Sequence, residues 1–259
     1  MFEERGRTAH LAWYRTAEGT ADVAFLHGFS DSAHCWAPLL SALPDMKALA
    51  IDARGHGESG LPDEPYGYAG HRDDVARVLE AQPGEAKIVV GHSMGAMSAA
   101  YLAATRPELV RALVLEDPPT EEQPRRNGTC GMPEWLADAR ALDLEARMAS
   151  ADPHWPEDER EPWAVSKAQV NPKMFDLDYQ GVGPLHEVLA KTSCPILLIH
   201  GDTDRGSLIS DDYAARCTEA AGGELRAVHL REAGHSVRRD QRQRYAEELA
   251  AFRTEHQPG

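Results

Sequence analysis

Lys87-Ile88-Val89-Val90-Gly91-His92-Ser93-Met94-Gly95-Ala96 is an apolar run that arrives at a serine with a glycine two positions away on each side. A short β-branched run suits a buried strand, and residues 94–105 are alanine-rich and free of proline, which suits a helix. Ser93 therefore falls where a strand turns sharply into a helix, the geometry of a nucleophile elbow. Such a turn forces strained backbone angles on the serine and crowds its neighbours, which explains small residues at 91 and 95. The hydroxyl is held clear of the sheet, and the Met94 amide at the helix start points at any anion that forms beside it.

Working outward, apolar strand-like runs at 23–26, 48–51, 88–90, 112–115, 196–199 and 225–230 alternate with helical spacing at 37–43, 71–81, 94–105, 211–221 and 241–252. Alternation of this kind predicts an α/β fold with a mostly parallel, doubly wound sheet covered on both faces. Residues 10–15 add an antiparallel strand at the front. Between 118 and 189 the alternation stops, and prolines, tryptophans and acidic residues gather. This reads as a helical lid inserted into a core made of residues 1–117 and 190–259. Within it Trp135, Leu136, Ala139, Leu142 and Ala146 fall on one helical stripe, and Trp163, Ala164 and Ala168 begin another. Residues 118–131 read as its flexible linker.

Composition removes several function classes. At 259 residues the chain has room for one large core, and no apolar run is long enough to cross a bilayer. The charged N-terminal residues lack the apolar segment of a signal peptide, so a cytoplasmic protein is expected. A net charge of −15 repels phosphate backbones and anionic lipids, which argues against nucleic acid or a membrane surface as partner and for a small-molecule substrate. Cys35, Cys130, Cys194 and Cys217 lie far apart, with no Cys-x-x-Cys pair and no short-range histidine partner in a metal-ligand spacing. Buried free thiols are expected, with no metal and no cofactor.

A serine hydroxyl at neutral pH is a weak nucleophile and needs a base, an orienting acid and donors for the oxyanion. For the donors, His27-Gly28-Phe29-Ser30 follows the strand run at 23–26, and Gly28 permits close approach so that the Phe29 amide faces the same point as that of Met94. For the base, His235 in Glu232-Ala233-Gly234-His235-Ser236 lies on a loop between the last strand and the last helix, at the carboxyl edge where ligands meet parallel sheets. His92 adjoins the serine and cannot curl back onto it, while His27 and His56 read as loop-shaping groups. The acid has three candidates: Asp204 and Asp202 after the run at 196–199, and Asp117 at the end of the run at 112–115. Asp204 is the choice, because Asp202, just after Gly201, suits a capping role in its own turn.

These segments together resemble the α/β-hydrolase superfamily, over nearly everything outside the lid. The resemblance rests on His27-Gly28, the loop Asp52-Ala53-Arg54-Gly55-His56-Gly57-Glu58-Ser59, the elbow at 91–95, the loop at 201–204 and Gly234-His235. It implies a catalytic order Ser93, Asp204, His235, an acid at the last position of a Gly-x-x-Asp loop, and a structural role for residues 52–59.

Substrate choice lies in the lid. Trp36, Trp135, Trp155, Trp163 and Met174 offer apolar walls, and fourteen Asp and Glu against seven Arg and Lys in residues 118–190 would disfavour polyanions if they border the entrance. The expected activity is hydrolysis of a carboxylic ester or lactone through an acyl-enzyme. Alternatives are carbon–carbon bond hydrolysis of a vinylogous diketone, with Arg140 or Arg147 on its carboxylate, thioester hydrolysis, and a non-catalytic receptor on the same fold.

Overall fold

The computed structural model describes residues 2–84, 87–120 and 131–257. Cys130 and most of the expected linker lie outside them. Among the described residues the strands are β1 (Glu4–Thr8), β2 (Leu11–Arg15), β3 (Val23–Leu26), β4 (Ala48–Ile51), β5 (Tyr66–Gly67), β6 (Lys87–His92), β7 (Val110–Glu116), β8 (Tyr179–Gln180), β9 (Ile196–His200) and β10 (Leu225–His229). Eight of them form one sheet in the order β1-β2-β4-β3-β6-β7-β9-β10. From β4 to β10 neighbours run parallel, and only β1 and β2 are antiparallel. The polar, alternating Glu4–Thr8 strand has no counterpart among the apolar runs, because one of its faces meets solvent.

The helices are α1 (Ala37–Ser41), α2 (Tyr68–Ala81), α3 (Met94–Thr105), α4 (Glu134–Ala141), α5 (Leu144–Ala149), α6 (Glu157–Gln169), α7 (Leu185–Leu189), α8 (Asp211–Ala220), α9 (Val237–Asp240) and α10 (Arg242–Glu255). Central strands β3, β4, β6 and β9 are buried at every position, so their sequences do not alternate. One face packs Leu26, Val89, Leu113 and Leu198 with α2, α3, α7 and α8. The opposite face packs Phe25, Val90, Val114 and Ile199 with α1 and α10. The sheet is thus doubly wound, as expected.

Between β7 and β9 the chain makes α4, α5, α6 and the β8 strand, which pairs with β5 through Tyr66 and Tyr179. Leu136, Val170, Met174 and Phe175 form a small core there with Tyr66. The stripe read from 135 to 146 is not one helix. It breaks at Leu142, and Asp143 caps the start of α5 by accepting the Ala146 amide at 2.9 Å. Trp36 is not a cavity wall. It is fully buried in the main core, 5.1 Å from the Phe25 ring and 4.3 Å beneath the Arg238 guanidinium.

Candidate active site

Ser93 sits between β6 and α3 with φ 50° and ψ −115°, a left-handed strain that only tight surroundings sustain. Those surroundings need glycine on both sides. A Cβ on Gly91 would strike the Gly95 carbonyl, and one on Gly95 would strike the Leu26 carbonyl of β3. The first turn of α3 closes on the Ser93 carbonyl, which accepts from the Ala96 amide at 3.0 Å and the Met97 amide at 3.1 Å. The Met94 amide, one residue into the helix, is among the donors that a helix leaves without an intrahelical acceptor.

His235 is brought to Ser93 from the other end of the chain. Its Nε2 lies 3.0 Å from Ser93 Oγ, and its Nδ1 lies 2.6 Å from Asp117 Oδ2. An acceptor carboxylate at Nδ1 places a proton there and leaves Nε2 to accept from the serine hydroxyl. The acid choice is therefore corrected: Asp117, not Asp204, meets the histidine. β6 and β7 are in register with His92 opposite Glu116, so the residues that follow, Ser93 and Asp117, leave the sheet side by side. Asp117 has φ 41° and is fully buried. Its carboxylate accepts from Ser207 Oγ at 2.6 Å, the Leu208 amide at 2.9 Å and the Ile209 amide at 3.2 Å. The loop after β9 thus supplies the donors that hold the acid rather than the acid itself. Asp204 is exposed on that loop's outer side. Asp202 does not cap its own turn either; it accepts from His229 Nε2 and the Glu232 amide, both at 2.7 Å.

Gly28 presses the turn after β3 against the serine. A Cβ there would stand 2.5 Å from His92 Nδ1 and 3.3 Å from Ser93 Cβ. Phe29 and Met94 border the same cavity as Ser93 and His235. The turn's shape comes from two buried imidazoles. His27 accepts from the Ala53 amide and donates to the Gly28 carbonyl, and His56 accepts from the Ser30 amide and donates to the Arg54 carbonyl. Burial lowers the basicity of both, His56 to about 3, which keeps them neutral and able to accept. Asp52 gathers the Ala33 and Glu58 amides at 2.7 and 2.8 Å, so residues 52–59 shape the front of the site as expected.

Beneath the turn lies an ion network the sequence reading missed. Asp31 accepts from Lys167 Nζ at 2.8 Å, Arg238 at 3.1 Å and Arg239 at 2.8 Å. Glu116 accepts from Arg238 and Glu159 from Arg239, so three buried carboxylates balance three buried cations. Burial alone would raise the Asp31 carboxyl, but Arg239, Lys167 and Arg238 override it and hold it well below the ordinary range. Lys167 belongs to α6 and also donates to the Ser30 carbonyl at 3.0 Å. It ties the insertion to the turn beside Phe29. The sequence signal was the paired Arg238-Arg239 directly after His235-Ser236-Val237.

A cavity of about 550 Å³ opens over Ser93 and His235. Trp135, Trp155, Trp163 and Met174 line it, as anticipated, together with Tyr66, Phe175 and Tyr179, which were not anticipated. Its acidic and basic lining residues other than histidine are Asp31, Lys167 and Arg239; no carboxylate of the insertion is among the described residues that line it. Arg140 and Arg147 are occupied elsewhere. Arg140 donates to the Ala168 and Val170 carbonyls, and Arg147 to those of Ala139 and Ala164.

Among the described residues no helix is long and apolar enough to cross a membrane. Lipase LipV of Mycobacterium tuberculosis is 34% identical over 142 residues, 52% of this chain and 54% of that protein. The 2-(acetamidomethylene)succinate hydrolase of Mesorhizobium japonicum is 36% identical over 96 residues, 37% of this chain and 34% of that protein. The chain therefore spans about half, or less, of the length of these curated relatives. The thioesterase domain from the curacin biosynthetic pathway superposes with a TM-score of 0.74 at 18% identity, covering 96% of this chain and 99% of that domain, a likeness of fold. The family model described as the alpha/beta hydrolase family matches residues 23–248, and with that span the chain belongs to the α/β-hydrolase family.

Proposed function

We propose that this protein is a serine hydrolase that cleaves a carboxylic ester or lactone of a small, largely apolar substrate through an acyl-enzyme. The reading is carried by one observation: the Ser93–His235–Asp117 hydrogen-bond relay, at 3.0 and 2.6 Å, opens onto an aromatic-walled cavity. Ser93 Oγ attacks the substrate carbonyl while its proton passes to His235 Nε2, and the Phe29 and Met94 amides receive the oxyanion. His235 then returns the proton to the departing alkoxide. Water, deprotonated by the same nitrogen, releases the acid and restores Ser93. Asp117 holds the imidazole in the tautomer that accepts and stabilises the imidazolium.

The insertion acts as a lid whose tryptophans cover the acyl or alkoxy group. The charged lining groups are engaged with one another, so apolar contact remains as the source of affinity. The experiment compares Ser93→Ala and wild type on chromogenic esters of increasing acyl length, lactones, and matched esters bearing a remote carboxylate. Turnover by wild type alone, favouring the neutral member of each pair, is expected. Tight binding of these compounds without turnover would favour the receptor reading.

A further inference from the structure

β9 and β10 each end in a histidine, and the parallel register sets His200 directly opposite His229. The two rings stack with centroids 4.6 Å apart. Asp211, the first residue of α8, reaches into the same spot, with its Oδ1 2.8 Å from His229 Nδ1 and 3.7 Å from His200 Nε2. All three atoms lie within 4.8 Å of one another. Donors around a tetrahedral zinc-class ion, with bonds of about 2.0–2.1 Å, stand about 3.4 Å apart, so small side-chain rotations bring this trio onto one centre.

The proton positions point the same way. His200 Nδ1 faces the Gly201 carbonyl at 3.2 Å and must donate to it, which leaves a lone pair on Nε2. That side chain is only 2% exposed. His229 Nε2 meets the Asp202 carboxylate at 2.7 Å, and the same carboxylate accepts from the Glu232 amide at 2.7 Å. With Nε2 donating to Asp202, His229 Nδ1 faces the Asp211 oxygen at 2.8 Å, a contact that a proton or a bound cation bridges. A carboxylate behind one imidazole and a carbonyl behind the other are the supports that orient metal-bound histidines.

We propose that His200, His229 and Asp211 form a binding site for one divalent transition-metal ion of the zinc class, with Asp202 positioning His229. Two imidazoles and one carboxylate suit zinc rather than magnesium or calcium, which favour all-oxygen sets. The site lies outside the cavity over Ser93, in a cleft that Asp202, Asp212 and Arg231 also line. The ion would clamp the ends of β9 and β10 to the start of α8, bracing the loop whose Ser207, Leu208 and Ile209 hold Asp117. The sequence expectation of no metal searched for short-range spacing, and this trio is assembled by strand register instead.

Titration calorimetry of the chelator-stripped full chain with zinc chloride tests the site. One equivalent bound saturably is expected, with no response to magnesium. Affinity should fall at least about tenfold in His229→Ala and in Asp211→Asn, and about ten- to a hundredfold in Asp202→Asn. Asp204→Asn and His154→Ala, the latter removing an exposed histidine outside the cluster, should leave it unchanged. Asp211 is 67% exposed in its side chain, so its substitution reports on binding even if a histidine variant misfolds. No saturable binding by wild type up to about 100 µM zinc, or undiminished affinity in Asp211→Asn, would overturn the proposal.

Discussion

Asp117 reaches His235 through a fact of sheet register, since the residues beyond His92 and Glu116 emerge together at the carboxyl edge. Asn at 117 would keep the shape but lose the acceptor that fixes the Nδ1 proton, so Asp117→Asn should lower kcat by about 10⁴-fold. Asp204→Asn, on an exposed residue, should stay within a few-fold of wild type; steady-state kinetics on one chromogenic ester decide between them. A larger loss in Asp204→Asn would restore the acid position that family resemblance suggested. Ser93 and His235 were legible because their signals are local: glycines spaced around a serine, and a Gly-His after a strand. The acid was not, because Gly201-Asp202-Thr203-Asp204 carries a local signal, whereas the donors that hold Asp117, Ser207 to Ile209, lie 90 or more positions from it in the chain. Trp36 misled for a related reason. Nearness in sequence to the oxyanion turn says nothing about which side of the sheet a ring packs on.

At the scale of elements, α6 fixes the turn that carries Phe29. Lys167 spends its ammonium on Asp31, the Ser30 carbonyl and Ser166 Oγ, all at 2.8–3.3 Å. Lys167→Met keeps much of the stem's packing but leaves Asp31 with two of its three cations and frees the turn. Removing one partner of a buried ion pair costs about 3–5 kcal/mol. The variant is expected to lose stability in urea and to lose kcat by about tenfold or more with KM less affected, because an oxyanion donor matters most in the transition state. An unchanged kcat in a folded variant would mean that the turn is held without α6. The strands were readable as short apolar runs and α3 as an alanine-rich stretch. The break between α4 and α5 was not taken from periodicity, since apolar spacing continues across it; Asp143, a capping side chain, was the available signal.

Across the whole molecule, His27, His56, His71 and His92 are buried to within 4% exposure, and burial is the main cause that lowers the pKa of each. Their lowered folded-state values mean that below about pH 6.5 the unfolded chain binds protons that the folded chain refuses. Stability should therefore fall as pH drops, by up to about 1.4 kcal/mol per pH unit for each histidine until its folded value is reached. Urea denaturation at neutral pH and at about pH 5, above the range where carboxylates begin to protonate, should show this fall, and a flat profile would contradict it. Composition gave the overall acidity, but the placement of charge is a property of the folded surface, and among the described residues the cavity is lined by Asp31, Lys167 and Arg239 and by no carboxylate of the insertion. In the proposed mechanism Ser93 is a nucleophile activated by His235. A fluorophosphonate reagent followed by peptide mass spectrometry tests it most directly: one adduct is predicted on the peptide carrying Ser93, formed far more slowly in His235→Ala and absent in Ser93→Ala, whereas an adduct persisting in a folded Ser93→Ala protein, or none in wild type, would contradict it.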